Sequence, residues 1–420
     1  MVQQCSRGWT RSRTNFPCRD KRPAPVLLAA LLTLAAPQAL TLAQAFERAV
    51  GANPEIASAR LSVRVAEAGV EAAGQLPNPG VALSVGPDEP KIFGAVDLKL
   101  PILGQRGTAL AAAEREVPIA RGEVTTQELK VRGAVRRAYY ALAVAQQQAA
   151  LFAQTAANAQ ALEKMTQDKF QTGSAPRLEV EQAAIARRQA AQDLVDKEAA
   201  VRTAQVDLSR LLGVEDELLA SDALFPIPAA PPADELLARV ARHPEVQTLR
   251  RQQDAALARA QRERAAIRPV PDVSVEVERL SNVTAQGATE MYYGLRFGLS
   301  FELPVLSWNG GRVHAEVAQA SVQAAQAQAA ERRLRGEIRA ARSRWEAAGS
   351  RARVYVEELV PAAVRIEEMA RAGYQLGRAP LFSVLQAQAE VTLSRSRGVD
   401  AAGEAQKAFA DLEEAAGDIP

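Results

Sequence analysis

"GYQLGRAPLFSVLQAQ", Gly373–Gln388, breaks a long helical run near the C-terminus, and the chain has already used nearly the same words at "KFQTGSAPRLEVEQAA", Lys169–Ala184. Gly173 matches Gly377, Ala175-Pro176 matches Ala379-Pro380, and Gln182 matches Gln386, all at one offset (173 to 377). A glycine where a helix stops lets the chain turn through the left-handed region. A proline three residues later preorganises the first turn of a returning helix. Both stretches therefore predict a hairpin between two helices.

Upstream of the two turns, helical patterns predict segments of about 106–172 and about 311–376, each roughly 100 Å long at 1.5 Å per residue. Pro118 and Pro361 interrupt them and are expected to kink rather than end them. A helix of roughly 35 residues is expected to return after each turn. The faces are rich in alanine and glutamine, as in "AQASVQAAQAQAAERRL", Ala318–Leu334. Small residues allow close helix approach. Such sparse helices are expected to bury no core within one chain and to need neighbours, as in a coiled coil. A free-standing fibrous coiled coil would show stricter heptads and would lack strands.

Other landmarks repeat in the same order. "NPEI" at Asn53 returns as "HPEV" at His243, "LPNPGVALSV" at Leu76 as "RPVPDVSVEV" at Arg268, "LPIL" at Leu100 as "LPVL" at Leu303, and "AVRRAYYA" at Ala134 as "AARSRWEA" at Ala340. Collinear matches at so long a period indicate one duplicated unit rather than a solenoid. The units are placed at 41–214 and 233–417. The segment 215–232 between them is a linker, and "FPIPAAPPAD", Phe225–Asp234, is its proline-rich part. Each unit opens on a short helix, 41–52 or 233–242. Asn53 is then an N-cap before a proline at the first helical position, with His243 as its substitute. The second helix runs to about 75 or about 267, where Pro77-Asn78-Pro79 and Pro269-Val270-Pro271 stop it.

Two strand-like segments follow in each unit. In "YYGLRFGLSFEL", Tyr292–Leu303, the residues Tyr293, Leu295, Phe297, Leu299, Phe301 and Leu303 share one face, while Arg296, Ser300 and Glu302 share the other. Val273, Val275 and Val277 alternate in the same way, as do Val81, Leu83 and Val85, and Val96, Leu98 and Leu100. A strand tilted by about 45° crosses a bilayer with about 9–11 residues, apolar outside and polar inside. Tyr292 and Tyr293 would suit an interfacial girdle. The other possibility is a half-buried soluble sandwich. Four strands cannot close a barrel alone, so the membrane possibility requires several copies; three would supply about twelve strands.

The composition narrows the function. The chain is 48% hydrophobic but only 5% aromatic and carries a formal net charge of +2, which favours neither nucleic acid nor a strongly acidic partner. The mean hydropathy of −0.14 excludes a bundle of transmembrane helices. Residues 1–40 read as a removed secretory signal: six basic residues from Arg7 to Arg22 precede the short apolar run Val26–Ala36. Cys5 and Cys18 lie upstream of that run, so a mature chain would hold no disulfide, thiolate metal site or lipidated cysteine. No glycine-rich phosphate loop, metal-ligand spacing or nucleophile elbow occurs, and no catalytic residue is assigned.

Signal, duplicated strand–strand–hairpin units, Asn53-Pro54-Glu55, Leu76-Pro77-Asn78-Pro79, Leu42, Ala43 and Ala45 in "LTLAQAF", and the elbow "LPVLSWNGGR" with Pro304, Gly310, Gly311 and Arg312 together resemble the outer-membrane factor family of TolC-like ducts. The Pro77-Asn78-Pro79 stretch is most similar to its cobalt–zinc–cadmium, CzcC-like branch. The resemblance implies an α+β membrane protein with a TolC-like fold: a homotrimer with one 12-stranded outer-membrane barrel and a long periplasmic cylinder of antiparallel helices. It implies a passive exit duct with no enzymatic activity and no cofactor. Its partners would be a periplasmic adaptor (a membrane fusion protein), an inner-membrane RND-type pump and outer-membrane lipid. It also implies that the tips, Gly173, Ser174, Pro176, Arg177, Gly377, Arg378 and Pro380, dock the adaptor. The positions of a cation-attracting constriction hold Glu179, Gln182, Ser383 and Gln386, of which only Glu179 is acidic. Tyr293, Leu295, Phe297, Leu299 and Phe301 would face lipid. The implied cargo is divalent heavy-metal cations, selected in the pump because the chain has few soft ligands. A duct for drugs or for a secreted polypeptide, and a periplasmic coiled-coil adaptor that never enters a membrane, are the alternatives.

Overall fold

A helix pair opens each half of the chain, its second helix capped by a side chain. In the computed structural model, which describes residues 38–87, 90, 92–214, 217–283, 287 and 289–417, strand β1 (Gln38–Leu40) leads into α1 (Leu42–Ala52) and α2 (Pro54–Gly74). Thr41 and Gln44 cap α1 reciprocally. The Asn53 side chain accepts from the N–H groups of Glu55 and Ile56 at 2.9 and 3.4 Å and starts α2. Strands β2 (Gly80–Val85) and β3 (Ile92–Lys99) follow, then α3 (Gln105–Gln171), α4 (Arg177–Leu212) and strand β4 (Leu218–Ala220). The second half repeats this order with α5 (Ala233–Arg239), a 3-10 turn at Val240–Arg242, α6 (Pro244–Ala265), β5 (Asp272–Val283) and β6 (Thr289–Ser300). It continues through α7 (Gly310–Val354), a π turn at Tyr355–Leu359, α8 (Val360–Gln375) and α9 (Leu381–Ala416). The leader expected at residues 1–40 lies outside the described residues as far as residue 37, and both cysteines lie there with it.

The long helices behave differently at their prolines. Pro118 sits inside an unbroken α3 of 67 residues, and Arg251 Nη1 donates to its carbonyl at 3.0 Å. Near Pro361 the helix instead widens into the π turn before α8 resumes. A proline without an N–H, whose ring crowds the preceding turn, accounts for that change of pitch.

The helices pack side by side in rows. Along one stretch α2 lies on α3, α3 on α6 and α6 on α7; along the other α4 lies on α3, α3 on α9 and α9 on α7 and α8. Ion pairs stitch the first row: Arg259 of α6 reaches Glu116 of α3 at 2.5 Å and Glu316 of α7 at 3.0 Å. The expectation that these helices bury no core within one chain does not hold. Tyr139, Leu142, Leu208, Leu212, Leu40 and Leu218 are fully buried in one cluster, and two smaller clusters lie elsewhere. The reason is a local third layer. Where α1 and the β1–β4 pair cross the α3/α4 hairpin, large side chains set among alanines find partners on every side.

β1 and β4 run parallel. The Tyr139 hydroxyl pins them: it donates to the Leu40 carbonyl at 2.8 Å and accepts from the N–H groups of Ser221 and Asp222 at 3.1 and 3.0 Å. Asp222 in turn accepts from the Leu42 N–H at 2.7 Å. The other four strands form one antiparallel sheet in the order β2-β3-β5-β6. β6 ends at Ser300, so Phe301 and Leu303, expected within it, lie beyond the strand. The cause is the neighbour: Ser300 pairs with Asp272, and the residue before Asp272 is Pro271, which has no N–H to extend the ladder.

Strand β1 falls inside the first forty residues and is needed by the core. Leader cleavage is therefore expected before Gln38. Sequencing the N-terminus of the mature protein checks this, and a mature chain beginning after Leu40 would contradict it.

Candidate functional site

Two features stand apart from the core, the sheet face and the hairpin tips. Strand register places Val81, Leu83 and Val85 of β2, Ile92, Val96 and Leu98 of β3, Val273, Val275 and Val277 of β5, and Tyr293, Leu295, Phe297 and Leu299 of β6 on one face. That face is bare; Val85 and Phe297, for example, are 82% and 74% exposed. Towards its far end Arg279, opposite Tyr293, Ser281, opposite Met291, and Thr289, opposite Val283, break its apolar character. The opposite face carries the charges: Asp97, Ser274, Glu276, Glu278 and Arg296 lie there beside Phe93, Leu280 and Tyr292, and Arg296 bridges Glu276 and Glu278 at 3.2 and 3.0 Å. β2 and β6 stand at the two ends of the sheet. Among the described residues no helix is long and apolar enough to cross a membrane.

The tips share one backbone device. Gly173 has φ +75° and Gly377 φ +70°. In the first, the N–H of Ser174 reaches the Lys169 carbonyl at 2.8 Å and that of Gly173 reaches Phe170 at 3.0 Å. In the second, Arg378 reaches Gly373 at 2.8 Å and Gly377 reaches Tyr374 at 3.1 Å. Both are Schellman closures, which settle the last carbonyls of α3 and α8. Pro176 and Pro380 then sit at the N-caps of α4 and α9. Gly173, Ser174, Pro176, Arg177, Gly377, Arg378 and Pro380 are all exposed.

Just behind the tips the two hairpins meet. Tyr374, only 4% exposed, packs with Leu162, Ala183, Leu381 and Val384. Its hydroxyl donates to Glu179 Oε2 at 3.0 Å and lies 3.4 Å from the Thr166 hydroxyl. Lys169 Nζ sits 3.9 Å from the ring centre and donates to the Tyr374 carbonyl at 2.5 Å. Burial pushes the Tyr374 hydroxyl up, and the Glu179 carboxylate adds to that, so the hydroxyl stays protonated and donates. Glu179 is thus tied to the second hairpin. Gln182 lines an open groove of about 590 Å³ between α3, α4 and α9, Gln386 is exposed, and the Ser383 hydroxyl donates to the Pro380 carbonyl at 2.7 Å. Tyr374 and Lys169 were not among the expected site residues. The one available signal was the repeat offset, which sets Tyr374 opposite Phe170, a hydroxyl where the first unit has none.

The profile of the outer membrane efflux protein family matches residues 45–214 and 238–418. The chain belongs to that family. Its members are passive channels, not enzymes. No curated protein sequence matches significantly. Among solved structures, CusC is 17% identical, with a TM-score of 0.73 over 90% of this chain and 92% of that one. VceC, an outer membrane protein of Vibrio cholerae, is 16% identical, with a TM-score of 0.70 over 90% and 96%. MtrE, an outer membrane channel of Neisseria gonorrhoeae, is 16% identical, with a TM-score of 0.70 over 90% and 89%. At these identities the likeness is one of fold, the TolC-like α+β fold.

His243 has a structural task in this efflux protein. Its Nδ1 accepts from the Glu245 N–H at 3.3 Å and caps α6, while Nε2 lies 3.1 Å from the Glu414 carbonyl near the end of α9. An accepting Nδ1 and a donating Nε2–H describe the neutral imidazole. Arg333 and Glu337 of α7, with Glu245 and Glu414, surround it. Burial pushes the imidazole below its ordinary value of 6.5. Among the described residues, no group of three or more His, Cys, Asp or Glu is placed to hold a metal ion.

The sign of the pH effect follows. The unfolded chain takes up a proton near pH 6.5, and the folded chain does so only at lower pH. Stability tied to neutral His243 is therefore present above about pH 6.5 and lost as pH falls through the folded-state value. Denaturant midpoints measured from about pH 7.5 down to about pH 5 should fall in the wild type and fall less in His243→Asn, where asparagine keeps the cap without titrating. Equal slopes would assign the pH dependence to other groups.

Proposed function

We propose that this chain is the outer-membrane exit duct of a tripartite efflux system, working as a homotrimer. The observation that carries the proposal is the bare apolar face running across all four strands of a sheet whose two ends, among the described residues, carry no further strand. Three copies joined β6 to β2 would close about twelve strands into a barrel, the apolar face toward lipid and the Glu276–Arg296–Glu278 face toward the lumen. Helix rows continuing from the same strands would close into a periplasmic cylinder. A periplasmic tether has no use for such a face in water.

The exposed tips fit the docking of a periplasmic adaptor, with an inner-membrane RND-type pump beyond it. Arg177 and Arg378 are the charged groups each tip presents. The constriction is set just behind them, at Glu179, Gln182, Ser383 and Gln386. The Tyr374–Glu179 hydrogen bond supports a gating role there, because it ties the first hairpin to the second and breaks if they separate. Export of divalent heavy-metal cations is the proposed cargo, on the likeness of Pro77-Asn78-Pro79 to the CzcC-like branch. A deletion strain newly sensitive to zinc, cobalt or copper but not to dyes bears this out; sensitivity to dyes alone refutes the metal cargo.

Two further measurements test the duct. Leu299→Arg should sharply reduce trimers recovered from outer membranes, since an arginine facing lipid costs about 2–4 kcal/mol at mid-depth. Ser300→Arg, on the lumen side, should assemble normally, and equal loss in both would refute the strand facing. In planar bilayers Tyr374→Phe should raise single-channel conductance while leaving the trimer intact. Its removal of one partly buried hydrogen bond is worth about 1 kcal/mol, enough to shift a gate severalfold. Unchanged conductance removes Tyr374 from the gate.

A further inference from the structure

The nine residues between β6 and α7, 301–309, include the most exposed large apolar side chain among the described residues. Leu306 is 96% exposed, Val305 71% and Trp308 69%. Nothing within the described chain covers them, although a polar helix begins at Gly310. Their pattern continues that of β6. Every second residue from Tyr293 to Val305, through Leu295, Phe297, Leu299, Phe301 and Leu303, is apolar and more than half exposed. The elbow therefore prolongs the sheet's bare face and does not start a new surface on the flank of a helix.

Length fixes its level. Tyr293 to Ser300 is seven steps, about 23 Å of strand and about 16 Å along the membrane normal at a 45° tilt. A barrel's apolar band is about 25 Å tall, so about 9 Å of it remains beyond Ser300 on the helix side. Leu303, Val305 and Leu306 come next in the chain, and Trp308 follows them. Tryptophan favours the boundary between acyl chains and headgroups, where its ring is buried and its N–H stays wet. Lys99 and Arg268 line the crevice beside the elbow, together with Asp272 and Glu302, a mixed set that suits a zwitterionic headgroup.

We propose that this elbow is a membrane anchor, with Leu306 and Trp308 seated in the phospholipid leaflet on the periplasmic side of the barrel. The proposal rests on the barrel reading and adds a lipid contact outside the strands. It gives the duct a fixed depth in the bilayer.

The test uses the full-length trimer in phosphatidylcholine nanodiscs, with brominated lipids as quenchers of tryptophan fluorescence. The chain's tryptophans are Trp9, Trp308 and Trp345, so W9F with W345F leaves Trp308 alone. Quenching should be at least about twofold stronger with bromine near the headgroup end of the acyl chain than near its methyl end. A second variant, L299W with W9F, W308F and W345F, reports on the strand face. Quenching of that probe with none at Trp308 overturns the anchor and leaves the barrel standing; the elbow would then be covered by a neighbouring copy. Equal or stronger quenching of Trp308 from the methyl end also overturns the interfacial position. No quenching of either probe refutes the barrel and the anchor together.

Discussion

A four-stranded antiparallel sheet with one bare apolar face cannot close on itself, and the rest of this molecule is arranged around that constraint. Fully burying one large apolar side chain is worth about 1.5–3 kcal/mol, and this face leaves such side chains bare on every strand. β2 and β6 also present open edges, which are sites of aggregation unless something pairs with them. Helices in rows rather than in a closed bundle repeat the same theme away from the sheet. The two ends are coupled rigidly at the elbows. Gln105, the first residue of α3, donates through its side chain to the carbonyls of Arg268 and Pro269 at 3.0 and 3.2 Å, and Arg268 donates to the Leu103 carbonyl at 2.7 Å. The exit of α6, the start of β5 and the start of α3 are thereby one joint, so closing the sheet aligns the helices as well.

The sheet and the long helices were legible because both are strongly periodic. α3 was expected at 106–172 and occupies Gln105–Gln171, and each returning helix, expected at roughly 35 residues, has 36. Turn chemistry at Gly173 and Gly377 is local, so a glycine and a proline three residues apart are enough to announce it. The remaining elements have no local signature. β1 and β4 are three residues each, too short for a period to show, and they exist because Tyr139, Ser221 and Asp222 satisfy the backbone around Leu40 from far along the chain. The core around Tyr139 and Leu142 is illegible in the sequence for a related reason. Alanine-rich helices look unable to bury anything until a third element crosses them, and α1 does so from nearly a hundred residues away.

Periodicity also overreached once. The alternation in Tyr292–Leu303 runs on past the strand, because side chains can keep a two-residue pattern where the backbone ladder has already stopped at Pro271. Pattern reports which side chains share an environment, and hydrogen bonding decides where the strand ends. In this chain the difference matters, since Phe301, Leu303 and Val305 keep the environment of the sheet without belonging to it.

The two hairpins are equal in backbone and unequal in everything that could move. Their Schellman closures and proline caps coincide, which places both tips by the same local rule. The first hairpin rises on α3, unbroken through Pro118. The second rises on α7 and α8, parted by the π turn before Pro361, where the i→i−4 ladder is already interrupted. The hydroxyl that ties the hairpins together, Tyr374, belongs to the second as well, while the position equivalent by repeat is Phe170, which is 44% exposed. Duplication thus supplied one geometry twice, and divergence put the deformable turn and the polar latch on the same arm. The first hairpin holds the partner groups, Lys169, Thr166 and Glu179, against which that arm is held.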